Sequence, residues 1–371
     1  MSDGTRAGNG PGSAVARAQA HRPDSRPAAA SAGSGVGLGS IMGRDRGGPT
    51  YAALDLGTNN CRLLVARPSG EGFRVVDAFS RIIRLGEGVS GTGRLSEAAI
   101  GRAIAALSVC RDKMKNRGVS RARLIATEAC RAAANGEQFR ERVAQEVGLS
   151  LEIIDRETEA TLAATGCTPL LDPEARGAIL FDIGGGSTEL VRLARSEQSA
   201  VGPPPPKIAG WISLPHGVVT LAESYGGTKV TPDSFAAMVA EAAALIAPFA
   251  AAHGSGLSGV HLLGTSGTVT TIAGVHLDLK RYDRNRIDGC WMDATQIAQV
   301  IDRLLAMSYE ERIASPCIGV ERADLVLAGC AILKAIQQAF PCPRLRVADR
   351  GLREGMLVQM MREDGAWSAA S

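Results

Sequence analysis

Aromatic residues are scarce in this chain, 4% of 371 residues, so the apolar 45% must be packed almost entirely from aliphatic and small side chains. Cysteine is present but never as Cys-x-x-Cys. The eight cysteines (61, 110, 130, 167, 290, 317, 330 and 342) are scattered and have no neighbouring histidine. That spacing excludes a zinc site and a small disulfide framework, and it points to reduced thiols in a cytoplasmic protein. No long apolar run is free of breaks. The most apolar segment, 235–252, is interrupted by Glu241 and Pro248, so no membrane span is expected, and no apolar stretch near Met1 reads as a signal peptide. The net charge of +3 is matched by six arginines against three aspartates in the first 48 residues. The remainder is close to neutral, which excludes a broad surface for specific nucleic-acid binding. Gly-x-x-x-x-Gly-Lys-Ser/Thr is absent as well, which excludes a P-loop protein.

What is present is a repeated idea. The stretch Gly177-Ala-Ile-Leu-Phe-Asp182-Ile-Gly-Gly-Gly-Ser-Thr-Glu189 reads as a buried strand that delivers a carboxylate into a glycine-rich turn. Such a turn can hold a divalent cation and can also aim bare backbone N–H groups at an anion. An ordinary hairpin would use the same glycines for a tight turn only. The stretch Tyr51-Ala-Ala-Leu-Asp55-Leu-Gly57-Thr58-Asn59-Asn60 has the same form, and each copy opens a three-strand meander followed by alternating helices and strands. Asp55 and Asp182 are then equivalent points of an internal repeat. Two α/β lobes with facing Asp-x-Gly turns imply a cleft between them.

The chain divides accordingly. Residues 1–48 are expected to be a disordered low-complexity tail, 49–174 a first lobe, 175–340 a second, and 341–371 a strand and helix that complete the fold. Ser96 is expected to cap a helix that stops at Gly118, and Asn135 with Gln138 has the form of a capping box. Asp155 is expected to cap a helix carrying Glu157 and Glu159 in its first turn. Four elements at strand ends offer free N–H groups and hydroxyls for phosphate oxygens: Gly57-Thr58-Asn59, Gly184-Gly185-Gly186-Ser187-Thr188, Gly264 to Thr268 (with Ser266 and Gly267), and the loop near Arg131. Together with two carboxylates they argue for a phosphate chain held with Mg²⁺.

Asp55-Leu-Gly-Thr-Asn-Asn, the Ala126-Thr…Arg131…Asn135 segment, Asp182-Ile-Gly-Gly-Gly-Ser-Thr-Glu189, Gly264-Thr-Ser-Gly-Thr268 and Asp349-Arg-Gly-Leu-Arg-Glu-Gly355 resemble the exopolyphosphatase / guanosine pentaphosphatase family. The resemblance runs from about Tyr51 to Met361. It implies a two-lobed actin-like, sugar-kinase-like (ribonuclease H-like) α/β fold. It also implies hydrolysis of a terminal phosphoanhydride of inorganic polyphosphate or guanosine pentaphosphate, with Mg²⁺ as cofactor, and it admits a homodimer. Larger members append helical C-terminal domains, and none is read within these 371 residues. On the family's register Glu159 is the base, Arg131 a phosphate-binding arginine, and Asp182 and Glu189 a metal-holding pair faced by Asp55. Two departures stand out: Thr158 replaces the family's first Glu, and Thr161 its Arg. Glu157 is therefore a second candidate for the base's role. His216 reads as a loop histidine without a catalytic part, and the cysteines as core residues. An ATP-dependent small-molecule kinase of the same fold and a non-catalytic sensor of polyphosphate or alarmone remain as alternatives.

Overall fold

The computed structural model describes residues 48–195 and 206–367, so the expected N-terminal tail and most of the four-proline loop at 203–206 lie outside the described residues. The first sheet is built from β1 (Tyr51–Leu56), β2 (Asn60–Ser69), β3 (Gly72–Ile82), β4 (Arg121–Ala126) and β5 (Glu152–Ile153). The second contains β6 (Gly177–Ile183), β7 (Thr188–Ala194), β8 (Lys207–Leu214), β9 (Val260–Thr265), β10 (Trp291–Asp293) and β11 (Arg344–Val347). Their orders are β3-β2-β1-β4-β5 and β10-β11-β9-β6-β7-β8. In each, the first three strands pair antiparallel and the next is parallel to the first. That is the expected two-lobed actin-like, sugar-kinase-like arrangement. Register makes the repeat explicit: Asp55 stands opposite Arg62, and Asp182 opposite Glu189, each pair closing its turn over the same seven-residue step.

Residue alternation decides what the sheets bury. Ala52, Leu54 and Leu56 of β1 face a core shared with Ile100, Leu107, Phe139 and Val143. Tyr51 and Ala53 on the other face meet Leu162, Met356 and Leu357. The second lobe packs Ile179, Phe181 and Ile183 against helices Pro232–His253, Ser266–His276 and Val326–Ala339. Helix Pro232–His253 is long and apolar enough to cross a membrane by composition, and one of its faces packs in this core. Six of the cysteines are buried and Cys290 and Cys317 partly so; all are free.

Several local expectations hold for the stated reasons. Ser96 accepts from Ala99 N at 3.2 Å and opens helix Glu97–Asn116, and Asp155 accepts from Thr158 N at 2.7 Å and opens Arg156–Cys167. The capping box at Asn135 does not form. Its amide instead grips Leu95 from both sides, accepting from Leu95 N at 2.8 Å and donating to Leu95 O at 3.0 Å, which ties two loops rather than a helix end.

Helix Arg156–Cys167 matters most for position. Leu162 joins the core of the first sheet, while Ala160, Ala164 and Cys167 pack on Ala178, Leu180 and Val191 of the second. Its backbone also meets the C-terminal helix Leu352–Glu363. A Cβ on Gly166 would lie 1.9 Å from Gly351 O, and one on Gly355 2.0 Å from Leu162 O. Small residues are therefore required at this crossing, and the helix is wedged between both sheets.

Candidate active site

The two Asp-x-Gly turns meet at one cavity of about 140 Å³. Its wall includes Asp55, Gly57, Thr58 and Asn59 from the first lobe and Asp182, Gly184, Gly185, Gly186, Ser187 and Glu189 from the second. Ser266, Gly267 and Thr268 line it at the N-terminus of helix Ser266–His276, and Glu159 projects from the wedged helix. Neither Thr188 nor Arg131 lines it. Thr188 is wholly buried and donates its hydroxyl to His216 O at 2.8 Å. Arg131 stands behind the wall, its guanidinium engaged by protein oxygens, as described below.

The glycines act by close approach. None of Gly184, Gly185 or Gly186 has positive φ. A Cβ on Gly185 would lie 3.0 Å from Thr58 Cβ, and one on Gly186 2.7 Å from Thr58 Oγ1. The loops of the two lobes are thus pressed together over the cavity, and their glycines make that contact possible. The carbonyls of Gly184 and Gly185 accept from Val218 N and Val219 N at 2.9 and 2.8 Å, fixing the loop from behind. Among the described residues no backbone carbonyl takes the N–H of Gly185 or Gly186. Ser266 carries φ 85, and its hydroxyl donates to Ile183 O at 2.6 Å, locking the strand-to-helix turn to the glycine loop.

The electrostatics are those of crowded carboxylates. Burial, then the charge of Glu189, pushes Glu159 well above the usual carboxylate range, against the pull of Arg131. Burial, then Glu189 and Asp55, pushes Asp182 up to about 7. Burial raises Asp55, opposed by Arg62 and Arg353. Burial also raises Glu189, opposed by hydrogen bonds from Ser187 and Ser213, the latter 2.8 Å from Oε1. Positive charge comes from residues to which the sequence reading gave no role. Arg62, Arg322 and Arg353 line the cavity, and among the described residues none of them makes an ion pair. Arg322 rests against Gly267, donating to its carbonyl at 3.4 Å and to Thr271 Oγ1 at 3.1 Å. The internal repeat offered a signal for Arg62, which occupies the place of Glu189; no local pattern announces Arg322.

The donor set suits a hard cation. Carboxylates predominate, and the buried Oδ1 atoms of Asn59 and Asn60 have no hydrogen-bond partner. Among the described residues no three acidic, histidine or cysteine groups form a closed cage. That fits an ion held by one or two carboxylates together with substrate oxygens and water.

Of the other candidates, Glu157 and Thr161 are exposed and off the cavity wall. His216 bonds Glu241 at 2.7 Å, away from the wall.

Known proteins resemble this chain over most of its length. A guanosine-5'-triphosphate,3'-diphosphate pyrophosphatase of Aeromonas salmonicida is 27% identical over 314 residues, 84% of this chain and 60% of that protein. One of Aliivibrio fischeri is 29% identical over 320 residues, 85% of this chain and again 60% of the relative. The chain thus spans about 60% of the length of these curated relatives. Among solved structures, the Aquifex aeolicus member of the Ppx/GppA family aligns with TM-score 0.68 at 30% identity, covering 85% of this chain and 98% of that one. An exopolyphosphatase from Cytophaga hutchinsonii aligns with TM-score 0.76 over 85% and 98% of the two chains; at 22% identity it speaks for the fold alone. The sequence model of the Ppx/GppA phosphatase family matches residues 64–364, and with the fold and cleft it leads to one conclusion: the chain belongs to that family.

Proposed function

We propose that this chain hydrolyses the terminal phosphoanhydride of a polyphosphorylated substrate, guanosine pentaphosphate or inorganic polyphosphate, releasing orthophosphate. The observation that carries this reading is the juxtaposition of Glu159 with two opposed Asp-x-Gly loops and three arginines free of ion pairs around one cavity. Gly185, Gly186 and Gly267 would offer N–H groups to the phosphate oxygens, and Arg62, Arg322 and Arg353 their charge. Glu159 would orient a water in line with the terminal phosphorus and take its proton. Burial and the neighbouring Glu189 raise its affinity for the proton it would take. A Mg²⁺ ion held by Asp55, Asp182 or Glu189 would supply charge neutralisation for the phosphate oxygens. The A. salmonicida and A. fischeri relatives support guanosine pentaphosphate as a substrate, whereas polyphosphate rests on the family resemblance.

The deciding experiment measures orthophosphate release from both substrates, with Mg²⁺ and with EDTA, for the wild type and Glu159→Ala. The reading expects Mg²⁺-dependent release that falls by about a thousandfold or more in the variant. Transfer of phosphate from ATP to a small acceptor without such release would favour the kinase alternative. Tight binding without turnover would favour a sensor.

A further inference from the structure

Arg131 has every edge of its guanidinium occupied. Nε and Nη2 donate to Glu128 Oε2 at 3.0 and 2.6 Å, Nη1 donates to Ile154 O at 2.7 Å, and Nη2 also reaches Glu159 Oε2 at 2.9 Å. The other oxygen of Glu128 accepts from Arg156 Nη2 at 2.8 Å. The side chains of Glu128, Arg131 and Glu159 are 10%, 16% and 13% exposed, so these contacts form in a largely dry setting where charge-assisted bonds are strong. Glu128 itself lines the cavity. It also abuts the glycine loop, since a Cβ on Gly186 would lie 3.2 Å from Glu128 Cγ.

A guanidinium beside a phosphate site ordinarily offers its Nε–Nη2 edge to phosphate oxygens. Here that edge is taken by Glu128. We infer that Glu128 is a positioning residue: it fixes Arg131 as the partner of Glu159 and withholds it from the substrate. Arg131 then sets the carboxylate of Glu159 toward the attacking water, while Arg62, Arg322 and Arg353 are left to hold the phosphates. Arg156 steadies Glu128 from the exposed side. This rests on the reading of Glu159 as the base.

The test uses tripolyphosphate with Mg²⁺ and three variants, Glu128→Gln, Glu128→Asp and Arg131→Lys, with melting temperature followed throughout. Glu128→Gln removes the charge at constant shape. It is expected to lower kcat about ten- to a hundredfold, the scale for losing a partner that orients a reactive group, while KM falls because Arg131 can turn to the phosphates. Glu128→Asp keeps the charge and should recover part of kcat. Arg131→Lys lacks the planar fork that spans Glu128, Ile154 O and Glu159 together and should lose kcat similarly. Glu128→Gln combined with Arg131→Lys should be no worse than either alone, since both break one unit. Wild-type kcat and KM in Glu128→Gln would overturn the inference. So would losses in Glu128→Gln and Glu128→Asp that merely track the folded fraction, or additive losses in the double variant. Glu159→Gln separates this inference from the reading beneath it. If that variant keeps turning over, the base assignment fails; if it is inactive while Glu128→Gln is unimpaired, only the role of Glu128 fails.

Discussion

Arg322 is a single residue at which the proposed binding role predicts a conflict with stability. Burial first, and then the charge of Arg62, lowers its pKa from the usual arginine value; Glu321 and Asp349 offset only part of this, and no carboxylate within the described residues forms an ion pair with it. A buried charge without a partner is a cost to the fold and is kept where function needs it. Arg322→Met should therefore leave the melting temperature unchanged or raise it, while KM for tripolyphosphate rises about tenfold or more. Loss of stability with unchanged KM would mean that Arg322 is structural. Residues differ sharply in how far sequence alone reveals them. Asp55 and Asp182 were legible because each ends a strand at a glycine turn in a repeated pattern, and Glu189 through the family resemblance. Arg62 was recoverable from the same repeat. Arg322 was not, because it comes from an irregular loop that only the fold brings to the cavity. Thr188 sits within the right motif, yet strand alternation turns it into the core.

Elements succeed or fail by what their ends and crossings allow. Strands β1 and β6 could be read because burial on both faces demands short aliphatic runs ending at the aspartates. Strand β10 is only three residues long and was missed, since so short a segment carries no periodicity. The crossing of Arg156–Cys167 with Leu352–Glu363 was also invisible, because it depends on two glycines nearly 190 residues apart, Gly166 and Gly355. Gly355→Ala forces a methyl against the Leu162 carbonyl and should destabilise the protein by about 1–3 kcal/mol. It should also lower kcat by moving the helix that carries Glu159; a wild-type melting temperature would contradict the packing argument. A second staple joins β3 to the end of helix Glu97–Asn116, where Asp77 accepts from Lys113 Nζ at 2.8 Å and Arg117 Nε at 2.9 Å. These bonds, that of Lys113 first, lower its pKa from 3.8 to about 2. A depressed carboxylate contributes stability above its unfolded pKa, and that contribution is lost as pH falls through the folded value. The partners are 31% and 51% exposed, so screening leaves about 1 kcal/mol. Asp77→Asn should cost that amount at pH 7, and the difference from wild type should close as pH falls from about 4 to about 2. A gap independent of pH would reject the ion-pair account.

Across the whole molecule, the two lobes are held together beside the cavity by contacts that also reach the turn at Thr58 and Asn59. Arg84 of the first lobe donates to Asp324 of the second at 2.9 and 3.2 Å, and Glu223 of the second accepts from Gly88 N at 2.9 Å and from the Ser90 hydroxyl. The same segment supports Thr58 and Asn59: Ile83 N and Arg84 N donate to Asn59 O at 2.8 and 3.1 Å, and Gly86 N to Thr58 O at 2.9 Å. Arg84 adopts a left-handed backbone with φ 46, which costs about 1 kcal/mol for a residue with a Cβ and must be repaid by its contacts. Asp324 lies two residues from Arg322, so one ion pair links the segment that supports Thr58 and Asn59 to the segment that carries the cavity arginine. A lobe-closing step on substrate binding would then be favoured by this pair. Arg84→Ala and Asp324→Ala should each raise KM for tripolyphosphate about tenfold, equivalent to about 1.4 kcal/mol, because binding must then pay for closing the lobes. Spin labels on the two lobes should report a longer and broader distance distribution in either variant, narrowing again at saturating substrate. Exchanging the charges, Arg84→Asp with Asp324→Arg, should recover part of both effects if the pair itself is the coupling. Unchanged label distances in Arg84→Ala would show that the lobes are fixed by the wedged helix Arg156–Cys167 alone. The cleft would then be a rigid site, with no closing step for the ion pair to control.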